Sequence, residues 1–252
     1  MAKVTSDKKK RIAIIGGGHM GSALARGFAR AGISRSRIFV SDRARDNARV
    51  VRRADAIFIA VKPSVVRDVL AEIGPYVRDK LVVSAAAGVR MSTLKKALRK
   101  STVARIMPNI LVAYGEGVVG LYTEDANARN YLKKLLSRLG LVVDVRREKD
   151  LDALTLVAGC GPAIVASFVD MLAERARALD IKGSEALARQ IFKGTLTHLE
   201  RSGLSARELV SAVTTKGGVT EAILKYLRRD GFEKSFAGAL RSGHERIKRI
   251  RV

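Results

Sequence analysis

Six residues that follow a short apolar run constrain the architecture of this chain more than any others. Arg11-Ile12-Ala13-Ile14-Ile15 runs directly into Gly16-Gly17-Gly18-His19-Met20-Gly21, and Ser22 to Ala31 continue with helical periodicity. The turn has the form G-x-G-x-x-G, placed between a strand and a helix. In that setting the first glycine permits a tight turn, the second lets a pyrophosphate reach the backbone, and the third lets helix and strand pack closely. A lone hexapeptide of this kind is a weak signal, but inside a βαβ unit it implies a Rossmann-type dinucleotide-binding domain. Gly16, Gly18, Met20 and Gly21 are the expected cofactor contacts, with His19 a loop residue near the phosphates rather than a catalyst.

Two regimes follow along the chain. From Arg11 to about Val145, β-branched runs alternate with helix-like stretches; the runs are Ile12 to Ile15, Ile38 to Ser41, Ile57 to Val61, Leu81 to Ser84, Val103 to Ile106, Val118 to Tyr122 and Leu141 to Val145. This pattern predicts an α/β domain with a largely parallel sheet. From about Arg146 the strand signals vanish and apolar-periodic helices take over: Lys149 to Ala158, Ala163 to Asp180, Ser184 to Arg201, Ser205 to Val213, Thr220 to Arg229 and Glu233 onward. The expected division is residues 1–146 for the dinucleotide-binding domain and 147–252 for an all-helical one. Ser205-Ala206-Arg207-Glu208 reads as a capping box, and Asp230-Gly231 as a helix stop.

Composition narrows the function classes. No segment reaches the ~18 uncharged apolar residues of a membrane span, and the basic stretch Met1 to Arg11 has no apolar run of signal-peptide type behind it, so a cytoplasmic location is expected. One cysteine, Cys160, and three scattered histidines argue against a disulfide framework and a zinc site. The net charge of +24 is spread along the chain, with 5% aromatic residues and no tryptophan, which argues against a nucleic-acid partner and for a basic surface that favours an anionic nucleotide. One glutamine and four asparagines point to a thermophilic source.

The second strand ends at Ser41-Asp42-Arg43, where the ribose-reading residue belongs, and its signals conflict. Asp42 suits the free 2′-hydroxyl of NAD, whereas Ser41 and Arg43 suit the 2′-phosphate of NADP. NADP, as NADPH, is the expectation, with NAD as the open alternative. Later strands end in Ala60-Val61-Lys62-Pro63, in Ala85-Ala86-Ala87-Gly88 and in Met107-Pro108-Asn109, all due at the carboxyl edge where ligands bind. Ala60, Val61, Lys62, Pro63, Ala85, Ala87 and Asn109 therefore join the cofactor set.

Far from these lies Val213-Thr214-Thr215-Lys216-Gly217-Gly218-Val219-Thr220, two glycines that open a helix just ahead of a hydroxyl. Unpaired N–H groups at a helix start suit a small carboxylate. The competing reading is a plain interhelix turn with Thr220 as N-cap.

Taken in order, these motifs resemble the pyrroline-5-carboxylate reductase family over nearly the whole chain. Gly16 to Gly21 is similar to its Gly-Ala-Gly-Asn-Met-Gly. Val61-Lys62-Pro63, Ala86-Ala87-Gly88-Val89 and Met107-Pro108-Asn109 stand in family order, and Gly159-Cys160-Gly161-Pro162-Ala163 resembles Ser-Gly-Ser-Gly-Pro-Ala. Thr215-Lys216-Gly217-Gly218-Val219-Thr220 resembles the family's Ser-Pro-Gly-Gly-Thr-Thr loop. The resemblance implies reduction of the cyclic imine 1-pyrroline-5-carboxylate to proline by a reduced nicotinamide, in a homodimer or higher homo-oligomer whose helical domains interlock. It further implies that Thr215, Gly217, Gly218, Val219 and Thr220 bind the substrate, with the N–H groups of Gly218 and Val219 on its carboxylate, and that the Thr220 hydroxyl, the one catalytic side chain, reaches carboxylate or ring nitrogen.

Departures stand out. Only Ala44 to Ala54 separate Arg43 from Asp55, so one strand-helix unit is expected to be missing, because eleven helical residues span only ~16 Å. Lys216 replaces a proline, Ile110-Leu111 a Thr-Pro pair, Ser211 an aspartate, and Cys160 a serine as a small packing residue. Two alternatives remain open: a related imine or hydroxyacid reductase, the latter disfavoured because Ala163 to Met171 contains no lysine, and a non-catalytic basic nucleic-acid-binding protein on a trimmed reductase fold.

Overall fold

The structure, a computed structural model, describes residues 10–42 and 46–250. The chain divides into two compact units, Met1–Pro162 with Gly243–Val252, and Ala163–Ser242.

The first unit is built on a seven-stranded sheet. Its strands are β1 (Ile12–Ile15), β2 (Ile38–Ser41), β3 (Ala56–Ile59), β4 (Leu81–Ser84), β5 (Thr102–Pro108), β6 (Gly117–Tyr122) and β7 (Gly140–Asp144). Helices α1 (His19–Arg30), α2 (Asn47–Arg52), α3 (Val66–Ile73), α4 (Met91–Ala97) and α5 (Ala126–Leu136) alternate with them. The spatial order is β2-β1-β3-β4-β5-β6-β7. Every residue of β1 and β3 is buried, because helices cover both faces of a parallel sheet and leave no solvated side. One core lies on the α1 and α5 face, where the Phe28 and Phe58 rings meet at a tilt of 58° with centroids 5.1 Å apart, and the other on the α2 and α3 face around Val51, Leu70 and Ile73.

The β5–β6 pair alone is antiparallel. Residues 109–116 join the two strands through a short 3-10 turn, Ile110–Tyr114, closed by Gly115 at φ +81°. A link of that length turns a strand back on its neighbour but cannot carry the crossover a parallel pair needs.

The connection from β2 to β3 contains one six-residue helix, α2. Among the described residues no strand lies beyond β2, which forms the sheet edge with Val40 42% exposed. The missing strand-helix unit expected from the short Ala44 to Ala54 link is thus a real feature of this sheet.

The helical part is α6 (Asp150–Leu154), α7 (Gly161–Ala178), α8 (Ser184–Ser202), α9 (Ala206–Ala212), α10 (Val219–Arg229) and α11 (Phe232–Ile250). Ser205 and Glu208 form the reciprocal capping box at the start of α9, and Gly231 at φ +72° follows the end of α10. The expected regular helix over Lys149 to Ala158 instead gives way to a π-helical turn at Thr155–Gly159. Pro162 explains the change, because it has no N–H to offer the Ala158 carbonyl four residues back. Cys160 donates to Thr155 O at 3.0 Å, the i→i+5 bond, and the side chain of Cys160 is exposed rather than packed.

One apolar feature exceeds its sequence expectation. The helical run Asp150–Ala178 is long and apolar enough to cross a membrane by length and composition, although Gly159, Gly161 and Pro162 break its apolar pattern. Almost none of it is buried within the chain. In the second unit Val165, Met171 and Leu172 of α7 and Leu187 and Ile191 of α8 are exposed, while Phe168 meets Phe232 edge-on at 6.1 Å.

Candidate active site

The glycine turn sits where the sheet changes direction. The chain leaves β1 for β2 on one side and returns from β2 to β3 on the other, so the crevice at the carboxyl ends of β1 and β3 is a topological switch point. Gly16 adopts φ +104°, donates its N–H to Ser41 O at 2.7 Å, and lies so close to β3 that an added Cβ would stand 2.6 Å from Ala60 O. At Gly21 a Cβ would overlap the carbonyl oxygen of Gly16. Both positions are therefore restricted to glycine by backbone packing.

Gly18 is different. It is exposed, and nothing lies within 4 Å of where its Cβ would be. It forms the N-cap of α1, so the N–H groups of His19, Met20 and Gly21 have no partner inside the helix and lie at the positive end of the dipole. Such a cradle fits the pyrophosphate of a dinucleotide. The Ser22 hydroxyl donates to Gly17 O at 2.8 Å and holds the turn. His19 is exposed beside it, while the Met20 side chain packs on the core and leaves only its backbone to the ligand.

The parallel register brings Ser41, Ile15, Ile59 and Ser84 into one row, which sets Ala60 to Pro63 and Ala85 to Gly88 along the same edge as the glycine turn. Ala60 donates to Ile15 O and Ala85 to Ile59 O, both at 2.8 Å, so the loops stay tied to the sheet. Lys62 and Ala87 are exposed there, Val61, Pro63 and Ala85 half-buried.

Two expected cofactor residues use their side chains internally. The Ser41 hydroxyl is buried and donates to Asn47 Oδ1 at 2.7 Å, and Asn47 in turn donates to Glu72 Oε2 at 2.8 Å. Ser41 supports the turn through its carbonyl rather than presenting a hydroxyl to a 2′-phosphate. Asn109 is 4% exposed; its amide donates to Ala158 O at 3.0 Å and accepts from Val118 N at 3.2 Å. It therefore fastens the end of β5 to the carbonyl that Pro162 leaves free. Arg43 lies outside the described residues. Asp42 is exposed, and with Arg26 of α1 lines the open cleft of about 780 Å³ beside Gly17, Gly18, His19 and Ser22.

In the second unit, α10 begins at Val219 with Gly218 as N-cap, so Thr220 is the second helical residue and not the cap of a plain turn. Gly217 has φ +76°, and an added Cβ at Gly218 would overlap Thr215 Oγ1. Gly218 N–H already donates to Thr215 O at 3.0 Å, which removes it from the expected set of carboxylate donors and leaves those of Val219 and Thr220 at the helix start. Thr215, Lys216, Val219 and Thr220 are all exposed.

One residue that braces this loop from α10 has only a faint signal in the sequence. Glu221 Oε2 accepts the Gly217 N–H at 2.9 Å while Oε1 meets Lys225 Nζ at 3.1 Å. The Gly217 N–H, and after it Lys225, hold the Glu221 carboxyl below the usual carboxylate range. A Glu three residues past an N-cap is the only clue, and the glycine that receives it carries no side chain to announce the pairing. Beside the loop opens a groove of about 1090 Å³ lined by Val210, Ser211, Thr214, Glu221, Leu224 and Phe232.

An open parallel sheet with a glycine turn at its switch point defines the first unit as a Rossmann-type dinucleotide-binding fold. A family model described as NADP oxidoreductase, coenzyme F420-dependent, matches residues 11–88, and one described as pyrroline-5-carboxylate reductase dimerisation matches residues 148–250. A pyrroline-5-carboxylate reductase of Methanosarcina acetivorans is 32% identical, with 96% of this chain and 98% of that one covered. A Bacillus subtilis relative, pyrroline-5-carboxylate reductase 2, is 29% identical over 96% of this chain and 95% of its own. Among solved structures, Plasmodium falciparum pyrroline carboxylate reductase with NADP bound superposes with a TM-score of 0.88 at 26% identity, covering 97% of this chain and 99% of that one. The chain belongs to the pyrroline-5-carboxylate reductase family.

Proposed function

We propose that this protein reduces 1-pyrroline-5-carboxylate to L-proline with NADPH, NADH being the alternative donor. The observation that carries this reading is the Thr214 to Thr220 loop, whose first-turn N–H groups and exposed Thr220 hydroxyl offer what a small cyclic carboxylate requires. A bound reduced nicotinamide would supply the hydride to the imine carbon and leave oxidised, while the ring nitrogen takes its two protons from solvent and ends as a protonated secondary amine. The protein's task is placement rather than acid–base chemistry. Gly16, Gly18 and Gly21 with the N–H groups of His19 and Met20 hold the pyrophosphate, and Ala60 to Pro63 and Ala85 to Ala87 line the edge along which the nicotinamide half lies. Val219 and Thr220 N–H groups grip the substrate carboxylate, Thr215 and Gly217 shape the loop, and the Thr220 hydroxyl donates to carboxylate or ring nitrogen.

The helical domain, read as residues 147–252, carries the substrate loop and the contacts between copies. Exposed apolar side chains on α7 and α8 support a homodimer or larger homo-oligomer, and the same reading puts the enzyme in the cytoplasm.

The test is oxidation of NADPH, and separately NADH, by the purified protein on adding pyrroline-5-carboxylate. Robust turnover is expected, faster with NADPH; a folded sample inert with both donors rules the reading out. Thr220→Ala is expected to lower kcat about tenfold or more, the cost of one charge-assisted hydrogen bond at the reacting centre, with NADPH affinity unchanged. Unaltered kinetics would remove Thr220 from its role.

A further inference from the structure

Of the expected readers of the cofactor's 2′-position, Ser41 turns its hydroxyl inward, Asp42 carries the wrong charge for a phosphate, and Arg43 lies outside the described residues. We infer that Arg26, on α1, reads the 2′-phosphate and is the residue that sets cofactor specificity. The inference rests on the dinucleotide site proposed above.

Three observations support it. Arg26 follows His19 and Ser22 at helical spacings of seven and four residues, which puts all three on the flank of α1 that lines the cleft with Gly17, Gly18 and Asp42. Helical side chains lean toward the N-terminus, so a guanidinium that starts about 10 Å along the axis from His19 comes back toward the pyrophosphate cradle. Among the described residues Arg26 is exposed and makes neither a hydrogen bond nor an ion pair, with Asp42 included among the partners it lacks. A free guanidinium on the wall of an anion cleft is a bidentate phosphate receptor.

Among the described residues β2 is the sheet edge, Val40 beside Gly17 is 42% exposed, and the flank of α1 at Arg26 shares the open cleft with Val40 and Asp42, the end of β2 to which the adenosine ribose belongs. Asp42 opposes a phosphate there, and Arg26 is the countercharge that offsets it, aided by the field of a chain with a net charge of +24.

The experiment is direct binding by calorimetry with the full chain and no substrate, which separates this inference from the imine chemistry. NADPH is compared with NADH, and 2′,5′-ADP with ADP, for wild type, Arg26→Ala and Arg26→Lys, with melting temperature as the check on folding. Expected for Arg26→Ala is a loss of about ten- to a hundredfold for NADPH and 2′,5′-ADP, typical of a charge-assisted bidentate pair, with NADH and ADP within twofold. Arg26→Lys restores part of the loss. Equal weakening of both members of each pair assigns Arg26 to the pyrophosphate and overturns the inference, as does no change in either, or a wild type that binds NADH more tightly. Retained 2′-phosphate discrimination in a protein inert toward pyrroline-5-carboxylate would leave Arg26 in place and sink only the reaction.

Discussion

At the scale of single residues, the glycines and one glutamate separate backbone geometry from chemistry. Gly21→Ala adds a methyl that overlaps a backbone carbonyl, and a backbone atom cannot swing aside as a side chain can. The variant is expected to lose about 1–3 kcal/mol of stability, typical of overpacking, and at least tenfold in NADPH affinity, as read by chemical denaturation and cofactor titration. An alanine variant that binds NADPH normally would show that α1 tolerates a shift from β1. Glu221 braces the loop proposed to hold the substrate, so its effect is expected on the substrate side only. Glu221→Ala frees the Gly217 N–H and lets the loop relax, so KM for pyrroline-5-carboxylate should rise about three- to tenfold, as for loss of a helix cap, while KM for NADPH stays put. Glu221→Gln keeps an acceptor oxygen and should restore most of the loss. The pH dependence has a definite sign. The carboxyl is held below its ordinary 4.5, so the loop's support is complete above that value and fades as pH falls through the lower folded-state value. A substrate KM that climbs only below about pH 4.5 in wild type, and stays flat in the Gln variant, is the signature to look for.

At the scale of elements, Asn109 and Pro162 act as one device. Proline withholds the hydrogen bond that would have satisfied Ala158, the helix opens into a π turn, and the Asn109 amide fills the vacancy from the end of β5. Asn109→Leu removes that donor and the acceptor for Val118 N–H, depriving two half-buried backbone groups of these bonds. The expected cost is about 2–4 kcal/mol by urea denaturation, the lower part of the range of roughly 1–3 for each group because both are only half-buried, with faster amide exchange at Val118. A change below about 1 kcal/mol would mean that water enters the site and replaces the amide. This device also marks where sequence reading stops. β-branched runs point to all seven strands of the sheet, and the strand-then-helix context of Gly16 to Gly21 points to the glycine turn between β1 and α1, since both signals are local. The sequence points Asn109 and Ser41 at the cofactor because a polar residue at a strand end often faces ligand. Their true partners, Ala158 and Val118 for one and Asn47 for the other, are set by long-range packing that no spacing in the sequence records. Glu221 and Arg26 were passed over for the opposite reason: a glutamate or arginine on an exposed helix is ordinary until its neighbours are known.

At the scale of the molecule, apolar surface and charge together constrain assembly. A chain with a net charge of +24 repels copies of itself, yet the helical unit exposes valine, leucine, isoleucine and methionine along α7 and α8, and most of Asp150–Ala178 is uncovered within the chain. Exposed apolar side chains at helical spacing on two successive elements amount to faces, and faces of this kind mark an interface or a membrane contact. The match of this region to a dimerisation model favours a second copy. A stable homodimer needs to bury about 800 Å² on each partner, an area that helices of 18 and 19 residues can supply. Burial of that apolar area opposes the like-charge repulsion, which salt further screens. Sedimentation equilibrium should therefore give a mass of at least twice 27.3 kDa at micromolar concentration, with a melting temperature that rises with protein concentration as mass action requires. Charge placed on the apolar faces, as Leu172→Glu with Ile191→Glu, should produce monomers with a lower melting temperature that no longer depends on concentration. If instead the wild type sediments as a monomer and partitions into phospholipid vesicles, the uncovered helix is a membrane contact and the charge of the chain acts on an anionic surface.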